Sequence, residues 1–154
     1  MKTVKLKNIG DATVQTQQRL LDAILGKNVA VKMLCKGRGL CATCHVYVTK
    51  NANLLTPVSD REKLTLSILT GASYNSRLAC QARVLGEGVE FELPSGTYVE
   101  SLTEIEQLVG KRTNAPILHP VNGRVLIQEG KIITRSAVMQ LNGVDFNITE
   151  TDVR

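Results

Sequence analysis

Four cysteines, Cys35, Cys41, Cys44 and Cys80, narrow what this chain can fold around, because they are spaced C-x5-C-x2-C-x35-C. Three fall in one short segment and the fourth lies far downstream, so the fold must return a distant segment to that loop. Gly37 and Gly39 stand between the first two. Glycine relieves the steric cost of a tight curl, which suits a loop that wraps a compact object with its N–H groups turned inward. The chain runs from Met1 directly into Lys2, Val4, Lys5, Leu6 and Lys7 without an apolar signal core. A reducing, cytoplasmic setting is therefore expected, and ligation outranks disulfide formation for these thiols.

Four Cys ligands are compatible with a structural zinc ion or with an iron–sulfur cluster. Zinc sites usually come as two short Cys or Cys/His pairs, whereas this spacing gives three local ligands and one remote. A [2Fe–2S] centre has two irons, each bound by two thiolates and two bridging sulfides, so its ligands embrace an elongated rhomb. A long loop plus one distant cysteine does that, and the pattern favours the cluster. With thiolates in all four positions neither iron has an open site for substrate, so the expected chemistry is one-electron transfer by a carrier, not enzymatic catalysis. Such a site has a charge of about −2 when oxidised and about −3 when reduced, and N–H groups of the loop stabilise the added electron.

The rest of the composition excludes more than it selects. Hydrophobic residues make up 43% and charged residues 21% of 154, enough for a packed core. No apolar run approaches the ~20 residues of a membrane-spanning helix. Aromatic residues reach only 3%, with no Trp, which argues against a surface that stacks bases and leaves the net charge of +5 poor evidence for nucleic acid. That charge is uneven: residues 1–96 carry 13 Lys and Arg against 7 Asp and Glu, and residues 97–154 carry 6 against 7. A boundary near residue 96 follows.

The hydrophobic periods give an α+β first unit. Residues 2–7 and 12–16 alternate as a hairpin around Asn8, Gly10 and Asp11. Leu20, Leu21, Ile24 and Leu25 share a helical face, with Thr16 as candidate N-cap and Gly26 as C-cap. Val29, Val31 and Met33 predict a third strand feeding the Cys-rich loop, and His45 to Val48 a fourth. Ser59 and Glu62 form a capping box ahead of a second helix. Residues 78–85 and 89–93 read as closing strands before Pro94-Ser95-Gly96. Beyond Gly96, Ser101 and Glu104 start a helix that Gly110 can stop, and 125–127 with 131–134 read as a hairpin across Gln128-Glu129-Gly130. The apolar repeat Ile132, Ile133, Val138, Met139, Leu141, Val144 and Phe146 reads as core, not docking surface.

Together the segments Cys35-Lys36-Gly37-Arg38-Gly39-Leu40-Cys41-Ala42-Thr43-Cys44-His45-Val46 and Asn75-Ser76-Arg77-Leu78-Ala79-Cys80-Gln81 resemble the [2Fe–2S] ferredoxins, specifically the adrenodoxin-like and bacterial assembly-type branch. Plant-type ferredoxins, with C-x4-C-x2-C and no His after the third Cys, fit less well. Over residues 1–94 the resemblance implies a β-grasp fold, with Cys35, Cys41, Cys44 and Cys80 as ligands of a [2Fe–2S] cluster. It implies for His45 a hydrogen bond that holds the loop against the sheet; a Rieske-type site would need two His in place of two Cys. His119 reads as structural.

The domain expectation is a ferredoxin unit over 1–96 and a helix-plus-hairpin extension over 97–154 that packs on the body or mediates self-association. Such extended ferredoxins resemble those of some cyanobacteria. Partners are expected to be a reductase and an electron acceptor. The acidic docking helix implied by the resemblance is absent, because Ser59-Asp60-Arg61-Glu62-Lys63 balances both signs. Lys36 and Arg38 inside the loop instead favour an acidic partner surface, with a salt-sensitive on-rate. Two other functions are distinguishable from the carrier: a redox or assembly-state sensor with the extension as output, and a zinc-bound interaction module.

Overall fold

The computed structural model describes residues 1–29, 35, 37–99, 101–144 and 146. A hairpin opens the chain: β1 (Lys2–Leu6) and β2 (Gly10–Val14) pair antiparallel, Lys2 opposite Val14 and Leu6 opposite Gly10. Val4, Leu6 and Val14 point to one face and are buried, as period-two alternation on a half-solvated sheet requires. A five-stranded sheet grows from this hairpin in the order β2-β1-β5-β3-β4, with β3 at His45–Lys50, β4 at Ser76–Leu78 and β5 at Val89–Glu92. β5 lies parallel to β1 and antiparallel to β3, whose register shifts between Val48 and Lys50. The buried face is covered by Leu20, Leu21, Ala23 and Ile24 of α1 (Leu20–Gly26), and the same core takes in Phe91, Leu78, Val46, Cys44 and Cys80.

Several elements differ from the sequence expectation for identifiable reasons. α1 begins after Arg19, not Thr16, because Gln17 has a positive φ and residues 17–18 exchange hydrogen bonds with Val84. The Asp22 carboxylate then accepts from the Arg19 N–H at 3.0 Å. α2 (Asp60–Ile68) is N-capped by Ser59 Oγ, which accepts from the Glu62 N–H. The capping box is half-made, since the Glu62 carboxylate turns inward to Arg77. The expected strand over 78–85 stops at Leu78, where the Gln81 and Ala82 N–H groups both fold back onto the Leu78 carbonyl. The expected strand through Val31 and Met33 lies outside the described residues, as does Lys36.

The remainder forms a second, smaller layer. β6 (Thr97–Tyr98), β7 (Ile117–Leu118) and β8 (Val125–Ile127) make a three-stranded sheet, β6 parallel and β8 antiparallel to β7. Val99, Ile105, Ile117, Ile127, Ile133 and Val138 close a separate core beneath α3 (Leu102–Glu106) and α4 (Arg135–Gln140). The expected hairpin between 125–127 and 131–134 does not form. Residues 131–133 hydrogen-bond instead to Gly110, Lys111 and Thr113, and α4 follows at once, capped by Thr134 Oγ1 on the Ala137 N–H at 3.1 Å. The apolar repeat is accordingly split by the helix: Ile133 and Val138 are buried, whereas Ile132 and Met139 are 51% and 75% exposed. Ser101 precedes α3 in extended conformation, but its side chain makes no cap. Among the described residues no helix is long and apolar enough to cross a membrane.

Candidate metal centre

All four cysteines are buried. Cys35, Cys41 and Cys44 belong to the loop entering β3, and Cys80 sits in the turn just past β4, not on a strand. Cys44 and Cys80 come together because β3 and β4 pair His45 with Leu78 and because the Ala79 N–H donates to the Cys44 carbonyl at 2.9 Å. Their sulfurs are 3.3 Å apart. The turn carrying Cys80 is held from the other side by the start of α1, where the Leu20 and Leu21 N–H groups donate to the Ala82 and Ala79 carbonyls.

The loop is curled by its glycines. Gly37 and Gly39 have φ of +83° and +75°, a region a side chain enters only at a cost of about 1 kcal/mol. A Cβ at Gly39 would also lie 3.0 Å from the Gln81 side chain. That side chain clamps the loop to the distant segment: Gln81 Nε2 donates to the Gly37 carbonyl at 3.0 Å and to Cys80 Sγ at 3.5 Å. Thr65 Oγ1 of α2 donates to the Gly39 carbonyl. Inward donors reach the sulfurs as well. The Leu40 N–H donates to Cys35 Sγ at 3.4 Å, and Cys41 Sγ and Thr43 Oγ1 are hydrogen-bonded at 3.0 Å.

Behind the cage lies a buried polar network that sequence reasoning left undetected. Glu62 and Arg77 form a two-pronged ion pair with N–O distances of 2.7 and 3.0 Å, and Glu62 Oε2 also accepts from the Leu78 N–H at 2.9 Å. α2 is thereby fastened to the segment that leads into Cys80. The one signal available was Arg77, a charged residue directly ahead of the apolar Leu78-Ala79-Cys80. His45 is buried, and its Nε2 is 2.8 Å from Ser76 Oγ. It therefore ties β3 to the start of β4 through the Ser76 side chain, where a bond holding the loop against the sheet is expected from the sequence. Burial pulls its pKa down to about 4, so the ring is neutral at pH 7. Neutral imidazole with a fixed partner suits a positioning role.

The sulfurs dominate the electrostatics. Cys35 is held below the usual thiol range by its hydrogen bonds with Cys41 and Cys80, and Cys44 by its hydrogen bond with Cys80. Cys41 is held above it by its hydrogen bond with Cys35 and by burial, and Cys80 by its hydrogen bonds with Cys35 and Cys44 and by burial. Four buried sulfurs, two of them 3.3 Å apart, are a donor set that suits a thiolate-ligated metal centre. Among the described residues no three His, Cys, Asp or Glu side chains are grouped as ligands of a single ion.

Outside the cage, Arg38 is exposed while its Nε donates to the Cys35 carbonyl at 2.8 Å. Arg19 pairs with Asp22 at 3.1 Å, and its guanidinium also feels the charges of Cys80 and Cys44. Arg83 lies opposite Arg19 and is exposed. His119, expected to be structural, is buried in the second layer, where its Nδ1 accepts from the Val121 N–H at 3.1 Å and its ring stacks on Phe146.

Comparison with known proteins agrees with this geometry. The sequence profile of the 2Fe-2S iron-sulfur cluster binding domain matches residues 8–85. The chain is 34% identical over 80 residues to the 2Fe-2S ferredoxin of Escherichia coli (strain K12), an alignment spanning 52% of this chain and 72% of that protein. Among solved structures it is similar to an ISC-like [2Fe-2S] ferredoxin from Pseudomonas putida, with a TM-score of 0.56 and 25% identity over 61% of this chain and 93% of that one. It is also similar to a chain in a covalent putidaredoxin reductase–putidaredoxin complex, with a TM-score of 0.51 and 26% identity over 60% of this chain and 98% of that one.

Proposed function

Because this chain belongs to the family of [2Fe–2S] cluster-binding ferredoxins, we propose that Cys35, Cys41, Cys44 and Cys80 are the four ligands of its cluster. The protein is an electron carrier between redox partners and not an enzyme. Its cluster, when bound, supplies reversible one-electron oxidation and reduction. The observation that carries the ligand assignment is the meeting of Cys44 and Cys80 at 3.3 Å, inside a buried cage that also takes in Cys35 and Cys41. Cys44 and Cys80 share one iron in this reading, and Cys35 and Cys41 the other.

The chain's own residues do three things around that centre. Burial of all four sulfurs excludes water, which protects the ligands and raises the energy of added negative charge. The Leu40 N–H and Gln81 Nε2–H donors offset part of that energy by pointing at sulfur. Arg38, bonded to the Cys35 carbonyl, and Arg19, partly offset by Asp22, set a positive rim beside the cage. We place the chain in the adrenodoxin-like and bacterial assembly-type branch on its C-x5-C-x2-C spacing and His45. We read the five-stranded sheet with α1 as a β-grasp unit over residues 1–96, and 97–154 as an extension.

Its partners are a reductase and an acceptor, and the rim selects acidic docking surfaces. Electrostatic steering of this kind acts mainly on association rate and fades within about 10 Å at 0.1 M salt. Anaerobic purification with iron, sulfide and zinc analysis, and visible spectra before and after dithionite, tests the cluster. About two irons and two sulfides per chain, with bands that bleach on reduction, are expected; a colourless zinc protein would sink the reading. Arg38→Glu tests the rim. Its reduction by a ferredoxin reductase should slow at low salt and converge with the wild type at high salt, and equal rates at low salt would remove the acidic-partner proposal.

A further inference from the structure

A turn of the extension rests against the loop that carries the cysteines. From His119 to Arg124 the chain makes a tight, internally bonded turn: the His119 N–H donates to the Arg124 carbonyl at 2.8 Å, the Gly123 N–H to the His119 carbonyl at 2.9 Å, and the Arg124 N–H to Asn122 Oδ1 at 2.9 Å. With its own donors occupied, the turn presents two carbonyls outward. Pro120 O accepts from the Ala42 N–H at 2.8 Å, and Asn122 O accepts from the Thr70 N–H at 2.7 Å. Ala42 lies between two ligand cysteines, and Thr70 lies just past the end of α2. Pro120, Val121 and Gly123 are all buried.

Gly123 makes the approach possible. Its φ is +70°, and a Cβ there would stand 3.2 Å from the Thr70 carbonyl oxygen and 3.8 Å from Ala42 Cβ. A backbone oxygen in a packed turn has little room to give. The contact also has an electrostatic consequence. The Leu40 N–H donates to Cys35 Sγ, whereas the Ala42 N–H, beside Cys41, is committed to Pro120 and donates to no thiolate. Burial of this flank and withdrawal of one donor both disfavour the more negative state of a thiolate-ligated centre.

We propose that the Pro120–Gly123 turn is a positioning element of the electron-transfer site, which holds the Ala42 amide away from sulfur, seals that flank from water, lowers the reduction potential and slows cluster loss. The proposal rests on the ligand assignment above. Gly123 acts through the loop and does not touch the cluster.

The test uses the full-length, cluster-loaded protein and two matched substitutions, Gly123→Val and Gly130→Val. Gly130 has a similar φ of +77°, but a Cβ there meets nothing within 4 Å, so it shares the backbone strain without the contact. Three quantities are read: the midpoint potential, the half-life of visible absorption under a chelator, and deuterium uptake by peptides covering 41–44 and 69–72. Gly123→Val is expected to raise the potential, to shorten the half-life about fivefold, as loss of about 1 kcal/mol implies, and to speed exchange in both peptides. Gly130→Val is expected to match the wild type in all three. A Gly123→Val protein with wild-type potential and half-life overturns the proposal, and so does an equal shift in both variants. Should Gly123→Val fail to load, Gly123→Ala is read by the same criteria. A wild type without iron and visible bands would overturn the ligand assignment, and the proposal with it, before any variant is compared.

Discussion

The two layers of this molecule are stabilised by different means. The five-stranded sheet buries Phe91, Leu6, Leu20, Leu21, Ile24 and Leu78 in one core and threads through it the Glu62–Arg77 pair and the His45–Ser76 bond. The extension has a core of six aliphatic side chains, with strands of two or three residues. Its buried hydrogen bonding is largely backbone, apart from His119. A unit of this size rarely supplies enough apolar burial to stand alone, and this one leans on the body through the 119–124 turn. The comparison separates two kinds of constraint. The body's polar network fixes where Cys80 lies relative to α2, while the extension adds a wall to a site already assembled.

Substitutions break this contrast at different depths. The largest effect is expected for Cys80→Ser, which removes one sulfur of the Cys44–Cys80 pair proposed to hold the cluster: visible absorption and iron content should fall sharply or vanish, and a normally reducible cluster would contradict the assignment. Glu62→Ala leaves Arg77 buried without its partner and is expected to destabilise the body by about 3–5 kcal/mol in chemical denaturation, with faster cluster loss. Ile105→Ala empties the centre of the second core and should cost about 2–5 kcal/mol. Hydrogen exchange should localise that loss to residues 97–144; equal loosening of β1 and β5 would show that the layers unfold as one. The smallest effects compare the helix caps. Ser59→Ala and Thr134→Ala each remove one side-chain acceptor and are each expected to cost about 1 kcal/mol. Only the first should change the rate of cluster loss, since α2 alone carries Thr65 and Glu62 to the cage.

What could be read in the sequence was what depends on local chemistry. The cysteine spacing, the alternation of Lys2–Leu6, the Ser59 cap and the strand at Val125–Ile127 are each set by a few neighbouring residues. What could not be read depends on partners far along the chain. Arg19 displaced Thr16 as the start of α1 because Val84 claims residues 17 and 18. The strand expected through Cys80 became a turn because its backbone bonds are taken by the start of α1. Residues 131–133 pair with 110–113, leaving β8 to β7, and the helix at Arg135–Gln140 was masked by an apolar repeat that yields no single face. The turn at Pro120 gave only Asn122-Gly123, a turn signal that says nothing of what the turn rests on.

The parallel pairing of β1 with β5 has a temporal meaning. The first strand cannot take its central neighbour until Val89–Phe91 has been made, and all four cysteines precede that point in the chain. During synthesis the sulfurs therefore become available while the sheet is still open, its closure requires the most non-local pairing in the body, and the Pro120 carbonyl emerges only afterwards. Chain order thus places all four cysteines ahead of the two contacts that close the sheet and cover the loop, the β1–β5 pairing and the Ala42–Pro120 bond.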